Sequence, residues 1–433
     1  MKTKLLFALL ILSTSLTAQL EWQALPDAPN FIGDLSKLDD VYFINPQTGW
    51  TINSLGEVFK TEDGGETWAN QGDLEEFLRC IQFANEDVGY AGSLQGNFGG
   101  PPSNSKFFKT IDGGDTWSDV TASMSPEPIG ICGISVVNED VVYGCGAFYG
   151  PARVYKTLDG GDTWTNIDMS AYAQALVDVY FYNENEGYVV GFGSITSPGA
   201  VVLKTVDGGE NWETLFNDSE IALLWKIQVL DSLNLFASVA GNSMEGGAQI
   251  LISNDGGINW TSKQVPVQGT QLQGVGFITP DHGFTGGFFD GLYETTDGGD
   301  TWQLIDIGAN YNRFQKVNDT LMYASGHTIY KYSGSSVTST REEIVQEPNY
   351  SLDVFPNPAS DNLSISYTLG NNTHLKLELV DQRGKTVTSL FDGWHQKGAF
   401  DVDMDVSSLP AGAYLVVFLS REGDLMKKVL IQR

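Results

Sequence analysis

Apolar residues along this chain come in short alternating runs broken by Gly, Asn, Asp and Pro. Residues 176–182, Leu-Val-Asp-Val-Tyr-Phe-Tyr, alternate in the way a half-buried strand requires. Asn183-Glu-Asn-Glu-Gly187 then reads as a turn and Tyr188-Val-Val-Gly191 as a second strand. A loop leads to a third strand at Val201-Val-Leu-Lys-Thr205, and Asp207-Gly-Gly turns the chain into a fourth strand opened by Trp212. Four short antiparallel strands cannot bury both faces of their own sheet. Like units stacked side by side can.

The unit does repeat. Its third-to-fourth turn reads Lys60-TEDGGET-Trp68, Lys109-TIDGGDT-Trp117, Lys156-TLDGGDT-Trp164, Lys204-TVDGGEN-Trp212, Ile252-SNDGGIN-Trp260 and Glu294-TTDGGDT-Trp302. The shared aspartates, Asp63, Asp112, Asp159, Asp207, Asp255 and Asp297, are spaced 49, 47, 48, 48 and 42 residues apart. A period of this length is that of a four-stranded propeller blade. The chemistry of the turn is structural. An Asp carboxylate accepts hydrogen bonds from nearby backbone amides. The paired glycines adopt backbone angles closed to other residues. The Trp buries a large ring whose loss costs about 3–5 kcal/mol. Calcium would need several oxygen ligands per loop, whereas each loop here offers one fixed Asp.

Six turns predict seven blades. Beyond Trp302, Arg313-FQKV, Leu321-MYAS and Thr328-IYKYS form three more strands without a following turn motif. The segment Leu20-Glu-Trp22-Gln resembles the stretch after an Asp turn, so residues 20–26 are expected to supply the missing outer strand. Joining the first and last segments closes the ring and hides its edge. The expected fold is all-β: a seven-bladed β-propeller over 20–335, a polar linker at 336–349 and a small C-terminal β-sandwich over 350–433.

The S/T-x-D-x-G-x-T-W pattern resembles the Asp-box, or BNR, signature of sialidases, sortilin-type receptors and the photosystem II assembly-factor family. The unit VYFINPQTGWTINSLGEVFKTEDGGETW at 41–68 is most similar to the last of these. That resemblance implies a fold more than a function. The sialidase family grips a substrate carboxylate with three arginines, one of them in a Phe-Arg-Ile-Pro segment that this chain lacks. Its propeller part carries three arginines: Arg79 and Arg313 in equivalent first strands, and Arg153 in a long loop.

Long loops at Leu94-QGNFGGPPSNS, Gly146-AFYGPAR, Gly191-FGSITSPG and Gly241-NSMEGG should emerge on the face where each first strand begins. The candidate ligand face joins Asp40, Arg79, Phe148, Tyr149, Arg153, Asp178, Trp225, Lys226 and Arg313. The same residues can equally be ordinary loop and channel residues. No catalytic residue, metal site or cofactor is assigned. Cys/His metal spacing and phosphate-binding Gly loops are missing.

Charge and the termini set the compartment. With 54 acidic against 24 basic residues, net −30, the chain is poorly suited to nucleic acid or anionic membranes. Lys2 and Lys4, the apolar run Leu5–Leu12 and the small residues before Gln19 read as a signal peptide over 1–18. No later run is long enough to span a bilayer. Export permits disulfides, and a register placing Cys132 opposite Cys145 would allow one; Cys80 is then left over.

The last segment departs from the repeat. Strands are expected at Leu363-SISYTL, Leu375-KLELVD, Ala413-YLVVFL and Lys427-KVLIQR. Val354-Phe-Pro356-Asn357-Pro358-Ala-Ser-Asp361-Asn-Leu363, Asp381-QRGK, Leu409-Pro-Ala-Gly412-Ala-Tyr414 and Lys427-KVLI resemble the C-terminal sorting domain of type IX secretion in Bacteroidota. The resemblance implies export by that machinery, with the protein released or fixed to the outer cell surface. The expected function is a secreted, non-enzymatic module binding a protein or glycan partner, with an Asp-box glycoside hydrolase as the alternative.

Overall fold

A computed structural model describes residues 20–31, 37–94, 105–146, 151–240, 248–267, 272–287, 291–334, 351–369, 373–381, 385–420 and 423–433. Among these residues nine sheets form, and the one helical element is a single 3-10 turn at Thr121–Ser123. Seven sheets are four-stranded and lie within residues 20–334. Their first strands are Leu38–Phe43, Phe77–Phe83, Gly133–Val136, Ala173–Phe181, Leu223–Val229, Leu272–Phe277 and Arg313–Asn318, and they number the sheets one to seven. In each, four antiparallel strands succeed one another outward, as the alternation predicts.

The first strand of each sheet packs on that of the next, and the last, Arg313–Asn318, packs on the first, Leu38–Phe43. The fold is thus a propeller whose first strands line the centre. Closure follows the expected route. Leu20–Ala24 pairs antiparallel with Ile329–Gly334, so the N-terminal strand completes sheet seven. Trp22 lies buried there between Phe284, Phe314 and Tyr332.

Apolar contact between neighbouring sheets is the main cohesive force. Trp50, Ile52 and Val58 of sheet one are buried together with Leu78, Ile81 and Phe83 of sheet two. Stacked rings recur at these joints: Phe43 on Tyr323, Phe83 on Trp50, Phe181 on Tyr143 and Phe277 on Phe236, with centroids 3.5–3.7 Å apart. Each such Phe lies across a glycine that opens the second strand of its own sheet. A Cβ on Gly49 would meet the Phe43 ring at 2.6 Å, so that position admits no side chain.

The Asp-box turn is built as its residues suggest, with one addition. Asp159 accepts from the Thr163 amide and hydroxyl at 2.9 and 2.6 Å. The leading Thr157 hydroxyl donates to Asp159 and accepts from the Gly161 amide. Asp63, Asp112, Asp207, Asp255 and Asp297 repeat the arrangement. The turn tryptophans differ in depth. Trp212 is buried, whereas Trp68, Trp117, Trp164, Trp260 and Trp302 are half-buried.

The turn also latches one sheet to the next. Its first glycine turns a carbonyl to the preceding sheet, where an aromatic of the second strand and a lysine of the third donate to it. Tyr323 and Lys331 reach Gly64 at 2.8 and 2.9 Å. Trp50 reaches Gly113, Tyr90 and Lys109 reach Gly160, Lys156 reaches Gly208, and Tyr188 reaches Gly256. Between sheets five and six the equivalent ring is Phe236, which has no group to donate.

The two remaining sheets lie within residues 351–431. One has strands Ser351–Phe355, Asn362–Leu369 and Gly398–Asp405. The other has Thr386–His395, Thr373–Val380, Gly412–Ser420 and Gly423–Ile431. They share a core of Leu363, Ile365, Leu375, Leu377, Val416 and Phe418.

The expected Cys132–Cys145 pairing is not found. The register sets Gly133 opposite Cys145, one residue away from that expectation, and all three cysteines are buried without forming a disulfide. A one-residue slip removes the directly opposed placement on which the expected bridge depended. Cys145 packs between sheets three and four, and Cys80 between sheets two and three.

Candidate functional site in the central channel

Five first strands carry a bulge near their start: between Leu38 and Asp40, Leu78 and Cys80, Leu176 and Asp178, Leu224 and Lys226, and Leu272 and Gly274. A bulge bends its strand and re-aims its side chains. Consecutive residues of one strand therefore both meet the neighbouring sheets here.

Arg313 of sheet seven is the hub. Its Nε donates to Asp40 Oδ1 at 3.0 Å, and its two terminal nitrogens donate to both oxygens of Asp178 at 3.0 and 2.9 Å. Asp178 belongs to sheet four, so this bidentate pair crosses the ring. Each carboxylate also ties its own sheet to the next. Asp40 accepts from the Ile81 amide and Asp178 from the Ile227 amide, both at 3.0 Å. A second cluster lies alongside. Arg79 donates to Asp39 at 2.5 Å and sits over the Trp225 ring at 5.1 Å. The Trp225 indole N–H donates to Asn312 at 3.1 Å, and Asn312 donates to the Asp39 carbonyl. Lys37 donates to Gln273 and lies 4.0 Å from Asp39.

Nearly every charge here is withdrawn from water: Asp39, Asp40, Arg79, Asp178 and Lys226 are at most 3% exposed. Burial opposes ionisation of Asp178, yet Arg313 and Lys226 outweigh it and hold its carboxyl below the usual range. Burial lowers Lys226 to about 8 and Lys37 to about 7. His327, buried and paired with Asn310 at 2.6 Å, is lowered to about 4 by burial, with Lys37 contributing.

Of the nine residues expected on a ligand face, the structure brings six together: Asp40, Arg79, Asp178, Trp225, Lys226 and Arg313. Phe148 and Tyr149 lie outside the described residues. Arg153 is a correction. It opens the third strand of sheet three rather than lying in a loop, and donates to Asn166 on the fourth strand at 2.9 Å. Arg79 and Arg313 thus lie on first strands and Arg153 on a third strand. Sequence reasoning missed Lys37, Asp39, Gln273 and Asn312. A signal existed: Leu38-Asp-Asp-Val, Leu78-Arg-Cys-Ile, Leu176-Val-Asp-Val, Leu224-Trp-Lys-Ile and Leu272-Gln-Gly-Val share one spacing, and the bulge falls within it.

The sorting-motif residues occupy structural positions. Asn357 grips the last strand, donating to the Lys428 carbonyl at 2.7 Å and accepting from the Leu430 amide at 2.8 Å. Pro356 and Pro358 flank it, both in cis linkages. The Asp361 carbonyl accepts from Val406, Gly412 starts a strand opposite Ile431, and Tyr414 donates to the Pro410 carbonyl. Among the described residues no group of three His, Cys, Asp or Glu side chains could hold a metal ion. Among the same residues no helix is long and apolar enough to cross a membrane.

Comparison with known proteins agrees with this architecture. Residues 19–170 match the family model for photosynthesis system II assembly factor YCF48, and residues 353–432 match that of the secretion system C-terminal sorting domain. No curated protein matches the chain. Among solved structures, YCF48 from Cyanidioschyzon merolae is 18% identical with a TM-score of 0.54, covering 73% of this chain and 99% of its own. A structure of YCF48 bound to D1 peptide is 19% identical with the same TM-score, covering 72% and 96%. The GH74 enzyme of Niastella koreensis is 12% identical with a TM-score of 0.53, covering 94% and 73%. At these identities the likeness concerns fold alone. The chain is therefore a β-propeller protein similar to the photosystem II assembly-factor family over its N-terminal part and to type IX secretion sorting domains at its C-terminal end.

Proposed function

We propose that this protein is an exported, non-enzymatic propeller that binds a protein or glycan partner on the face where the first strands begin. In this reading residues 1–18 are a cleaved signal peptide, 20–335 a seven-bladed propeller, 336–349 a linker, and 350–433 a tag read by the type IX secretion machinery. The match of 353–432 to a sorting domain supports secretion or cell-surface anchoring.

One observation carries the binding reading. The acids that meet in the channel are already engaged. Asp40 and Asp178 each hold Arg313 and a backbone amide of the next sheet. Glycoside hydrolysis needs one carboxylic acid held protonated and a second carboxylate free to act on water or sugar. Asp178 is held ionised and bridged, which suits a brace. The Asp-box carboxylates are likewise spent within their own turns. YCF48 with a bound peptide is an instance of this fold serving as a binder.

The second reading, a secreted glycoside hydrolase, is favoured by the GH74 enzymes among the structural neighbours, including a xyloglucanase from Xanthomonas campestris. A glycan array, a pull-down with the mature chain and a glycoside turnover assay separate the two. Saturable binding without turnover supports the module. Turnover abolished by changing one acidic residue overturns it.

A further inference from the structure

The channel cluster has more donors than its acceptors consume. Among the described residues, four cations, Lys37, Arg79, Lys226 and Arg313, stand among three carboxylates, Asp39, Asp40 and Asp178. Arg313 spends its guanidinium on Asp40 and Asp178. Arg79 spends one nitrogen on Asp39. Two donors remain without a hydrogen-bond partner among the described residues: Arg79 Nη2 and Lys226 Nζ. Lys226 is 1% exposed, and its nearest carboxylate oxygen, Asp178 Oδ1, is 4.0 Å away and already held by Arg313. One acceptor, Asp39 Oδ2, is also left over, but its carboxylate is opposed by Arg79 and Lys37.

A buried ammonium without a partner is among the costliest groups a protein can hold. It either loses its proton or gains a counter-ion. Arg79 cannot take the first course, because guanidinium stays protonated in proteins. The two open donors belong to neighbouring charges: Arg79 rests on the ring of Trp225, the residue before Lys226, and is one of the charges that lower Lys226. Water satisfies only the donors, whereas an anion also offsets the positive charge that the cluster carries while both lysines stay protonated.

We propose that the central channel binds a small monovalent anion, chloride or a compact carboxylate, between Lys226 Nζ and Arg79 Nη2. The ion completes the charge balance of the cluster and braces sheets two, four, five and seven around it. The site is independent of any partner bound at the surface.

The test is thermal unfolding of the mature chain at fixed ionic strength, with chloride or formate replacing a bulky sulfonate. Wild type should show a saturable rise in Tm of at least about 2 °C with one of the two ions. Which ion acts identifies the source as a halide or a carboxylate. Lys226→Met should lose the response. A flat profile with both ions, or an undiminished response in Lys226→Met, overturns the proposal. Should that variant fail to fold, anomalous scattering from bromide-soaked wild-type crystals decides. A peak touching Lys226 Nζ and Arg79 Nη2 supports the site, and bromide found only elsewhere overturns it.

Discussion

Trp22→Ala tests whether the N-terminal strand holds the ring shut. Trp22 sits in the strand Leu20–Ala24, whose pairing with Ile329–Gly334 supplies the outer edge of sheet seven. Its ring meets Phe284 at 5.1 Å, Tyr332 at 5.4 Å and Phe314 at 5.7 Å, and the residue is 8% exposed. Phe284 belongs to sheet six, so this one side chain packs two sheets together. Truncating a buried Trp costs about 3–5 kcal/mol. At about 2–4 °C per kcal/mol for a domain of this order, Tm should fall by roughly 6–20 °C. The indole N–H has no hydrogen-bond partner among the described residues, so Trp22→Phe keeps most of the packing, sheds an unsatisfied donor and should recover most of the loss. Limited proteolysis gives a second reading: in Trp22→Ala, cleavage should begin near residue 20, ahead of global unfolding. Trp302→Ala is the control. It lies in an internal sheet and donates to Gly299, so it should lower Tm without exposing the N-terminal strand. If Trp22→Ala melts within about 1 °C of wild type and resists N-terminal cleavage, the ring does not depend on this closure.

Other expectations follow from the same contacts. Thr157→Val removes a buried hydroxyl that serves both Asp159 and the Gly161 amide, and should cost about 1–3 kcal/mol in denaturant unfolding. The aspartates of the boxes are held low by hydrogen bonds from the following Thr or Asn, with Asp63, Asp159 and Asp297 at about 2. Their stabilisation should be complete above about pH 4 and be lost as pH falls towards 2, read as Tm against pH. His327 is lowered to about 4 by burial, so the unfolded chain takes up its proton first and stability should drop from about pH 6.5 to 4; His327→Gln should flatten that slope. Burial raises the thiols of Cys80 and Cys145, so the native protein should resist a thiol-reactive dye that labels all three cysteines in denaturant.

Much of the architecture was legible because its determinants are local. Alternation of apolar residues fixes which face of a strand is buried, and an Asp-Gly-Gly corner closes its own hydrogen bonds within a few residues, so the strands, the turns and the repeat can be read in order along the chain. Even ring closure left a mark, because Trp22 stands in a segment that resembles the others. What the tertiary structure decided lies across the ring. Which residue sits opposite Cys145 depends on a register that shifts by a single position, and Arg153 opens a strand rather than lying in the loop before it. Asp178 and Arg313 are 135 positions apart in sequence, and only the circular stacking of sheets makes them partners. Bulges then turn two successive residues of one strand toward the neighbouring sheets, which no count of alternating positions reveals. Local order follows from the chain's own spacing, whereas the charged centre exists only because seven sheets close on one another.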